Sequence, residues 1–337
     1  MAGHKNRINV VLVGAGGMGR RWAGVVANHS AARLGAVIDI DLKKAEDLAK
    51  NFGAKSYSSL EDLKNMPDID AAVIALPNKF LAEASKFALL SGKHVLVEKP
   101  GATSVRELQE VLDLALSRDL RIAVSYNHRF HPGPREARKL LDSGFLGELM
   151  FIRALYGFGG RPGYEKEWRH SREISGGGEL IDQGVHLIDL ARWFLGDVAD
   201  AKGFIESAFW KSEVEDNAFL LLKNKEGKIA SLHASWSQWK PTHTLEIYGT
   251  EGYAIVEGLG KKYGGQERVF YAKRKADFSL PEENVIECDN DADKSLSRVL
   301  DEFISSIQEK REPSPGSKDA LEVLKIVEKV YNDVGSR

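Results

Sequence analysis

The chain has 337 residues, 43% of them hydrophobic, enough for a real core and about two domains, which excludes an intrinsically disordered chain. Its 47 basic and 49 acidic side chains leave a formal charge of -2 with no block of one sign, so nucleic acid is not an expected partner. One cysteine, Cys288, excludes an internal disulfide and any multi-cysteine zinc site, requires no metal and fits a reducing compartment.

The segment Met1 to Arg7 is short and polar, and no run approaches the roughly 20 apolar residues of a membrane span. A cytoplasmic protein with no membrane partner is the expectation. From Asn6 to about Tyr126 short apolar runs at 8–13, 34–38, 71–76, 94–97 and 121–124 read as strands, alternating with helical patterns. Near-continuous apolarity means strands covered on both faces, hence a parallel sheet. Ser104 and Glu107 are spaced as a capping box, and Gly53 is placed to end the helix holding 45–52. The alternation predicts a doubly wound α/β domain over 1–125, with ligands outside the carboxyl ends of its strands.

Residues 126–337 read as a second, α+β domain. A helix at 134–143 precedes a strand at 151–156, a glycine-rich loop and a helix at 179–195. Strands at 218–222 and 228–235 flank a turn at 224–227, and those at 244–248 and 253–257 flank another, so antiparallel pairing is predicted. Helices at 294–310 and 317–332 flank a proline-rich connector, 312–316.

The first strand ends in Gly14-Ala15-Gly16-Gly17-Met18-Gly19, a G-x-G-x-x-G pattern that runs at once into a helix. Gly14 permits the tight turn, Gly16 lets backbone approach a pyrophosphate, and Gly19 allows close helix packing, while the helix N-terminus offers free N–H groups. Asp39 follows Gly19 by 20 residues, the offset of an acid that accepts ribose hydroxyls. Its carboxylate would repel a 2'-phosphate, favouring NAD over NADP, although Lys43 and Lys44 would soften that repulsion. The bland alternatives are an ordinary glycine turn and a solvated loop acid.

The strand at 94–97 runs into Glu98-Lys99-Pro100, so a lysine emerges where ligands bind. Lys99 is suited to be a fixed positive charge for a developing alkoxide, or a donor to a substrate hydroxyl. In the stretch 176–189, Asp182, His186 and Asp189 stand at i, i+4 and i+7 on one helix face among apolar neighbours. Polar groups in a buried helix need a reason. Catalysis is one, with His186 as general base and Asp182 orienting it or pairing with Lys99. A satisfied structural network is the other.

Together these residues resemble the Gfo/Idh/MocA family of oxidoreductases over nearly the whole chain. The resemblance rests on GAGGMG, the HVLVEKP segment, Asn127 and Arg129 followed by Pro132, the GGGELIDQGVHLIDLARWFLG stretch and Tyr248-Gly249-Thr250-Glu251-Gly252. It implies a Rossmann domain, a second domain with an open, mostly antiparallel sheet, a cis peptide before Pro100, and homodimers or homotetramers built through that sheet. It implies NAD, with NADP as the alternative, held by Gly14, Gly16, Gly17, Met18, Gly19, Asp39, Leu76, Pro77, Asn78, Glu98, Lys99, Pro100 and Asn127. The catalytic group would be Lys99, Asp182 and His186, with Arg129, Tyr156, Trp168 and Arg169 also facing a small sugar-like substrate. One departure stands out: family members often carry a histidine a few residues after the Pro77-Asn78 pair, and Lys79-Phe80-Leu81 has none.

The expected activity is hydride transfer between nicotinamide and a hydroxyl or keto carbon of a sugar, inositol or sugar derivative. Tyr164, Trp236 and Trp239 are further aromatics for stacking on a sugar ring, the alternative being core or subunit interface. Rival readings are an NAD-dependent glycosidase working by transient oxidation, a non-catalytic NAD-binding sensor, and a zinc dehydrogenase using His128 and His131, which lacks thiolate ligands.

Overall fold

The computed structural model describes residues 7–288 and 294–335, so the leading segment 1–6 lies outside the described residues. The chain forms two compact units, residues 1–126 with 296–322, and residues 127–295 with 323–337. The sequence reading placed one break at 125/126; the chain in fact crosses back, and the first closing helix belongs to the first unit. Among the described residues no helix is long and apolar enough to cross a membrane.

The first unit is built on β1 (Ile8–Val13), α1 (Gly17–Ala27), β2 (Ala32–Ile38), α2 (Leu42–Lys50), β3 (Lys55–Tyr57), β4 (Ala71–Ile74), α3 (Leu81–Leu90), β5 (His94–Val97), α4 (Val105–Ser117) and β6 (Ile122–Val124). Six strands run in the order β3-β2-β1-β4-β5-β6, each neighbouring pair parallel. Burial explains the apolar runs: Val10 to Val13, Ala71 to Ile74 and Val95 to Val97 are all buried. Half of the capping box forms at α4, where Ser104 Oγ accepts from Glu107 N at 3.2 Å, while Glu107 Oε2 accepts from Thr103 N at 3.1 Å, one residue before the N-cap. The order reverses at β1 and β4, which makes the carboxyl ends of those strands the place where a ligand fits.

The second unit carries α5 (Pro132–Asp142), β7 (Leu149–Gly157), α6 (Arg172–Ser175), α7 (Val185–Leu195), β8 (Val198–Glu206), β9 (Asn217–Asn224), β10 (Ile229–Ser235), β11 (Thr242–Gly249), β12 (Gly252–Leu259), β13 (Tyr263–Lys273) and β14 (Asn284–Glu287). The closing helices are α8 (Ser295–Glu309) and α9 (Ser317–Asp333). Its eight strands run β14-β13-β12-β11-β7-β10-β9-β8, antiparallel throughout except for the parallel pair β7/β10. Burial alternates along β9 and β11, so one face of the sheet packs inward, against α5 and α7, while the other stays open. On that open face Phe204 is 81% exposed and Phe219 and Leu221 are also exposed. A cavity there is lined by residues that include Arg153, Lys202, Phe204, Phe219, His233 and Glu246.

Candidate active site

The glycine turn sits between β1 and α1. Gly14 has φ +100, and a Cβ there would come within 2.4 Å of Ala75 O. A Cβ on Gly19 would meet Gly14 O at 1.8 Å, so the helix packs too closely on the turn for any side chain. Gly16 and Gly17 differ: both are exposed, and a Cβ on either would meet nothing within 4 Å. Gly16 caps α1 without a side-chain hydrogen bond, which leaves the helix's first N–H groups for an anion. Met18, half-buried, takes a contact from Arg21 Nη1 at 3.6 Å.

Asp39 closes the turn from the end of β2. Its Oδ2 accepts from Ala15 N at 2.7 Å and its Oδ1 from Asp41 N at 2.9 Å, so the acid is fixed beside the glycines. Lys44, which the sequence offered as a counter-charge, pairs with Asp41 at 3.3 Å. The open glycines, the uncapped helix start and the oriented carboxylate fit an adenine dinucleotide.

The remaining first-unit residues follow the carboxyl ends of β4 and β5. Leu76 and Pro77 lie just past β4, which ends at Ile74, and the buried Asn78 opens a short 3-10 turn. After β5 come Glu98, Lys99 and Pro100, and the Lys99–Pro100 peptide is cis, as the resemblance implies. Glu98 accepts from the Trp22 indole at 2.7 Å, which gives it a bracing role. Desolvation pushes its carboxyl up, against the indole hydrogen bond and the Lys99 charge.

In the second unit the predicted helix 179–195 is helical throughout, but not uniformly α. Leu180–Gly184 form one wide π-helical turn, and α7 starts only at Val185. The wide turn shifts Asp182 relative to His186 and Asp189, which both lie on α7, and the three polar residues take different partners. Asp182, in the wide turn, lies 3.3 Å from Arg169 Nε. His186 stacks on His128, ring centroids 3.9 Å apart and planes within 9°. Asp189, fully buried, takes Arg129 Nε at 2.8 Å and Nη2 at 2.6 Å. The polar face is thus divided among several partners, and Arg129 braces α7 through Asp189.

The wide turn is clamped from outside. Glu215 Oε1 accepts from Gly178 N and Leu180 N, each at 3.1 Å, and from Tyr331 Oη at 2.7 Å. The Glu215 carbonyl takes Glu179 N at 3.0 Å. Burial pushes the Glu215 carboxyl up against these hydrogen bonds. Beside Asp182 runs a charge-matched loop: Arg169 reaches Glu167 at 3.2 Å, and Arg161 grips the same Glu167 through Nε at 2.8 Å and Nη2 at 2.6 Å. Trp168 is half-buried with the Arg169 guanidinium 4.6 Å from its ring centre.

The aromatics divide. Tyr156 is buried edge-on to Tyr263 at 4.8 Å and to His128 at 4.9 Å, and desolvation holds its phenol well above the ordinary range. Tyr164 and Trp236, at 1% and 0% exposure, are core, packed 5.4 Å apart, which overturns their reading as sugar-stacking residues. Trp239 is 62% exposed with its ring edge-on to Phe209 at 4.7 Å. Asn127 donates to Ser295 Oγ at 3.0 Å.

Residues 8–126 match the oxidoreductase family described as an NAD-binding Rossmann fold, and residues 135–255 match the GFO/IDH/MocA C-terminal domain. The chain belongs to the Gfo/Idh/MocA family. It is an NAD(P)-dependent oxidoreductase. Among relatives of this Gfo/Idh/MocA chain, levoglucosan dehydrogenase of Pseudarthrobacter phenanthrenivorans is 27% identical, over 74% of this chain and 73% of its own. The 1,5-anhydro-D-fructose reductase of Ensifer adhaerens is 26% identical, over 92% and 91%. A solved levoglucosan dehydrogenase in complex with NADH shares the fold at a TM-score of 0.88, with 22% identity covering 98% of this chain and 97% of that one.

Sequence reasoning missed three features of this Gfo/Idh/MocA member. The sequence offers His128 only as a zinc ligand beside His131; it stacks on His186, while His131 lies 3.2 Å from Glu267. Glu215 and Tyr331 carry little signal of their own, the one available being an acid two residues before the strand β9. The Arg161–Glu167 fork had no signal beyond its spacing.

Proposed function

We propose that this enzyme moves a hydride between a nicotinamide cofactor and a hydroxyl-bearing or keto carbon of a sugar, inositol or sugar derivative. The observation that supports the reading is that this family member has Lys99 just past the carboxyl end of β5 in its first unit and, in its second, Asp182 and His186 around the start of α7. The two relatives named for sugar derivatives support the substrate class.

In this reading the N-terminus of α1 with Gly14, Gly16, Gly17, Met18 and Gly19 receives the pyrophosphate, and Asp39 accepts the ribose hydroxyls, favouring NAD with NADP as the alternative. Leu76, Pro77, Asn78, Glu98, Pro100 and Asn127 complete the cofactor side. The bound dinucleotide supplies the hydride acceptor or donor. Lys99 presents a positive charge to the substrate oxygen and stabilises developing alkoxide. His186 takes the hydroxyl proton in oxidation and returns it in reduction. Asp182, held by Arg169, sets a negative charge one turn before the base, and Tyr156, Trp168 and Arg169 shape the sugar side. The open sheet face, with Phe204, Phe219 and Leu221 exposed, is where a second copy packs.

The test is a panel of levoglucosan, glucose, other aldoses and myo-inositol, assayed for NADH formation by wild type and by Lys99→Ala. Wild type gives NADH with at least one compound. Lys99→Ala lowers that turnover by about 10²–10⁴-fold with NADH binding retained. Full activity in Lys99→Ala removes the proposed role, and glycoside cleavage without net NADH replaces the dehydrogenase with the transient-oxidation reading.

A further inference from the structure

The His186 imidazole does not stand alone. His128 lies flat against it, and Tyr156, His243 and His131 press T-shaped on His128 at 4.9, 5.7 and 5.9 Å between centroids. The residues around His128 in sequence are pinned. Arg129 is locked onto the buried Asp189, and His131 onto Glu267, which also accepts from Gly133 N. His128 is therefore a fixed plate: its backbone cannot slide without breaking the buried Arg129–Asp189 ion pair and the buried His131–Glu267 contact, and its ring cannot turn without striking three others.

Two consequences follow for the ring it covers. The terminal torsion of a histidine is broad, so an imidazole on a helix does not hold one nitrogen on a fixed line unless something fixes its plane. Face-to-face contact at 3.9 Å supplies that constraint. Stacked imidazoles at this distance also cannot take up protons independently, because the first cation opposes the second.

His243 is held down to about 4 by burial and by His131, so it stays neutral around pH 7. Burial keeps the Tyr156 and Tyr263 phenols protonated. Arg129 faces Asp189 and Asp182 faces Arg169, each charge with a close partner of opposite sign, while His131 lies 3.2 Å from Glu267 and the buried Glu179 acts on both Tyr156 and Tyr263.

We infer that His128 is a positioning residue for His186, fixing the plane of that ring and coupling its proton uptake to a second imidazole. The inference rests on the reading of His186 as the base and adds to it the group that aims it.

The experiment uses the full chain with ¹³C-labelled histidine rings, followed by NMR against pH for wild type, His128→Phe, His128→Ala and His186→Asn, the last assigning the His186 signal. In wild type the His186 signal is expected to follow two steps separated by more than about 1 pH unit, and in His128→Phe a single step. On levoglucosan or myo-inositol, His128→Ala lowers kcat about 10–100-fold while KM and NADH affinity stay within about threefold. His128→Phe, which keeps a flat ring, restores most of kcat but not the two-step titration. A His186 signal whose pH course is the same with and without His128, whether sloping or flat, overturns the coupling, and wild-type kcat in His128→Ala overturns the positioning. If His186→Asn itself keeps full turnover, the base assignment fails instead, and the two failures are told apart.

Discussion

Arg129 and Asp189, 60 residues apart in sequence, form a two-pronged ion pair with both side chains buried, Nε to Oδ2 at 2.8 Å and Nη2 to Oδ1 at 2.6 Å. The pair ties the segment after β6 to the middle of α7. Asp189→Ala strands a buried guanidinium and is expected to cost about 3–5 kcal/mol in urea unfolding, whereas the double replacement Arg129→Met with Asp189→Leu recovers most of that loss. Equal stability for Asp189→Ala and wild type would mean the pair is not buried as described.

The glycine turn separates folding from binding at two positions. Gly16→Val meets no neighbour and costs no more than about 1 kcal/mol as a poorer helix cap, yet it blocks the approach of a pyrophosphate, so NADH affinity measured by fluorescence falls by about two orders of magnitude. Gly19→Ala meets Gly14 O and lowers stability by about 1–3 kcal/mol. A Gly16→Val protein that binds NADH as wild type does would place the cofactor elsewhere.

Charge at the end of β2 decides the coenzyme. Asp39→Arg is expected to raise the ratio of NADPH to NADH affinity by about 10–100-fold. It also releases the Ala15 and Asp41 N–H groups, so stability falls by about 1 kcal/mol. An unchanged ratio in paired titrations would refute the ribose assignment.

Glu215 holds the wide turn that carries Asp182. Glu215→Ala leaves Gly178 N, Leu180 N and Tyr331 Oη without that acceptor and should cost about 1–3 kcal/mol, with faster amide exchange at 178–180. Tyr331→Phe removes only one of the three donors, so a smaller loss and near-native exchange at those amides are expected.

His243 makes stability depend on pH. Burial first, and then the neighbouring His131, depress its pKa from 6.5 to about 4. The folded state therefore binds fewer protons than the unfolded one in that window, and the contribution is fully present above pH 6.5 and lost as pH falls to about 4. The depression corresponds to about 3 kcal/mol. Denaturant unfolding across that range should show the decline in wild type and a shallower one in His243→Leu; identical slopes would show that His243 is not the group responsible.

Local patterns were legible where one element's own chemistry decides its structure. Ile8–Val13 and His94–Val97 read directly as strands because three or more adjacent apolar residues have few other places to go, and the strands 217–224 and 229–235 pair as their turn predicts. Lys55–Tyr57 escaped notice because three residues, one charged, carry no periodicity. The wide turn at Leu180–Gly184 escaped for a different reason: its residues are as apolar as those of an ordinary helix, and it is Glu215, from another part of the chain, that receives the N–H groups of Gly178 and Leu180 where it begins.

The sequence by itself determined the glycine spacing, the acid 20 residues on, the lysine at a strand end and the alternation of strands with helices, all properties of contiguous residues whose backbone preferences are local. Only the tertiary structure decided which partner each buried polar side chain takes: Asp189 to Arg129, His186 against His128, Asp182 beside Arg169. A buried charge or imidazole must be satisfied by whatever the fold brings within about 3 Å, and that neighbour is chosen by packing across tens of residues, beyond the reach of any spacing rule.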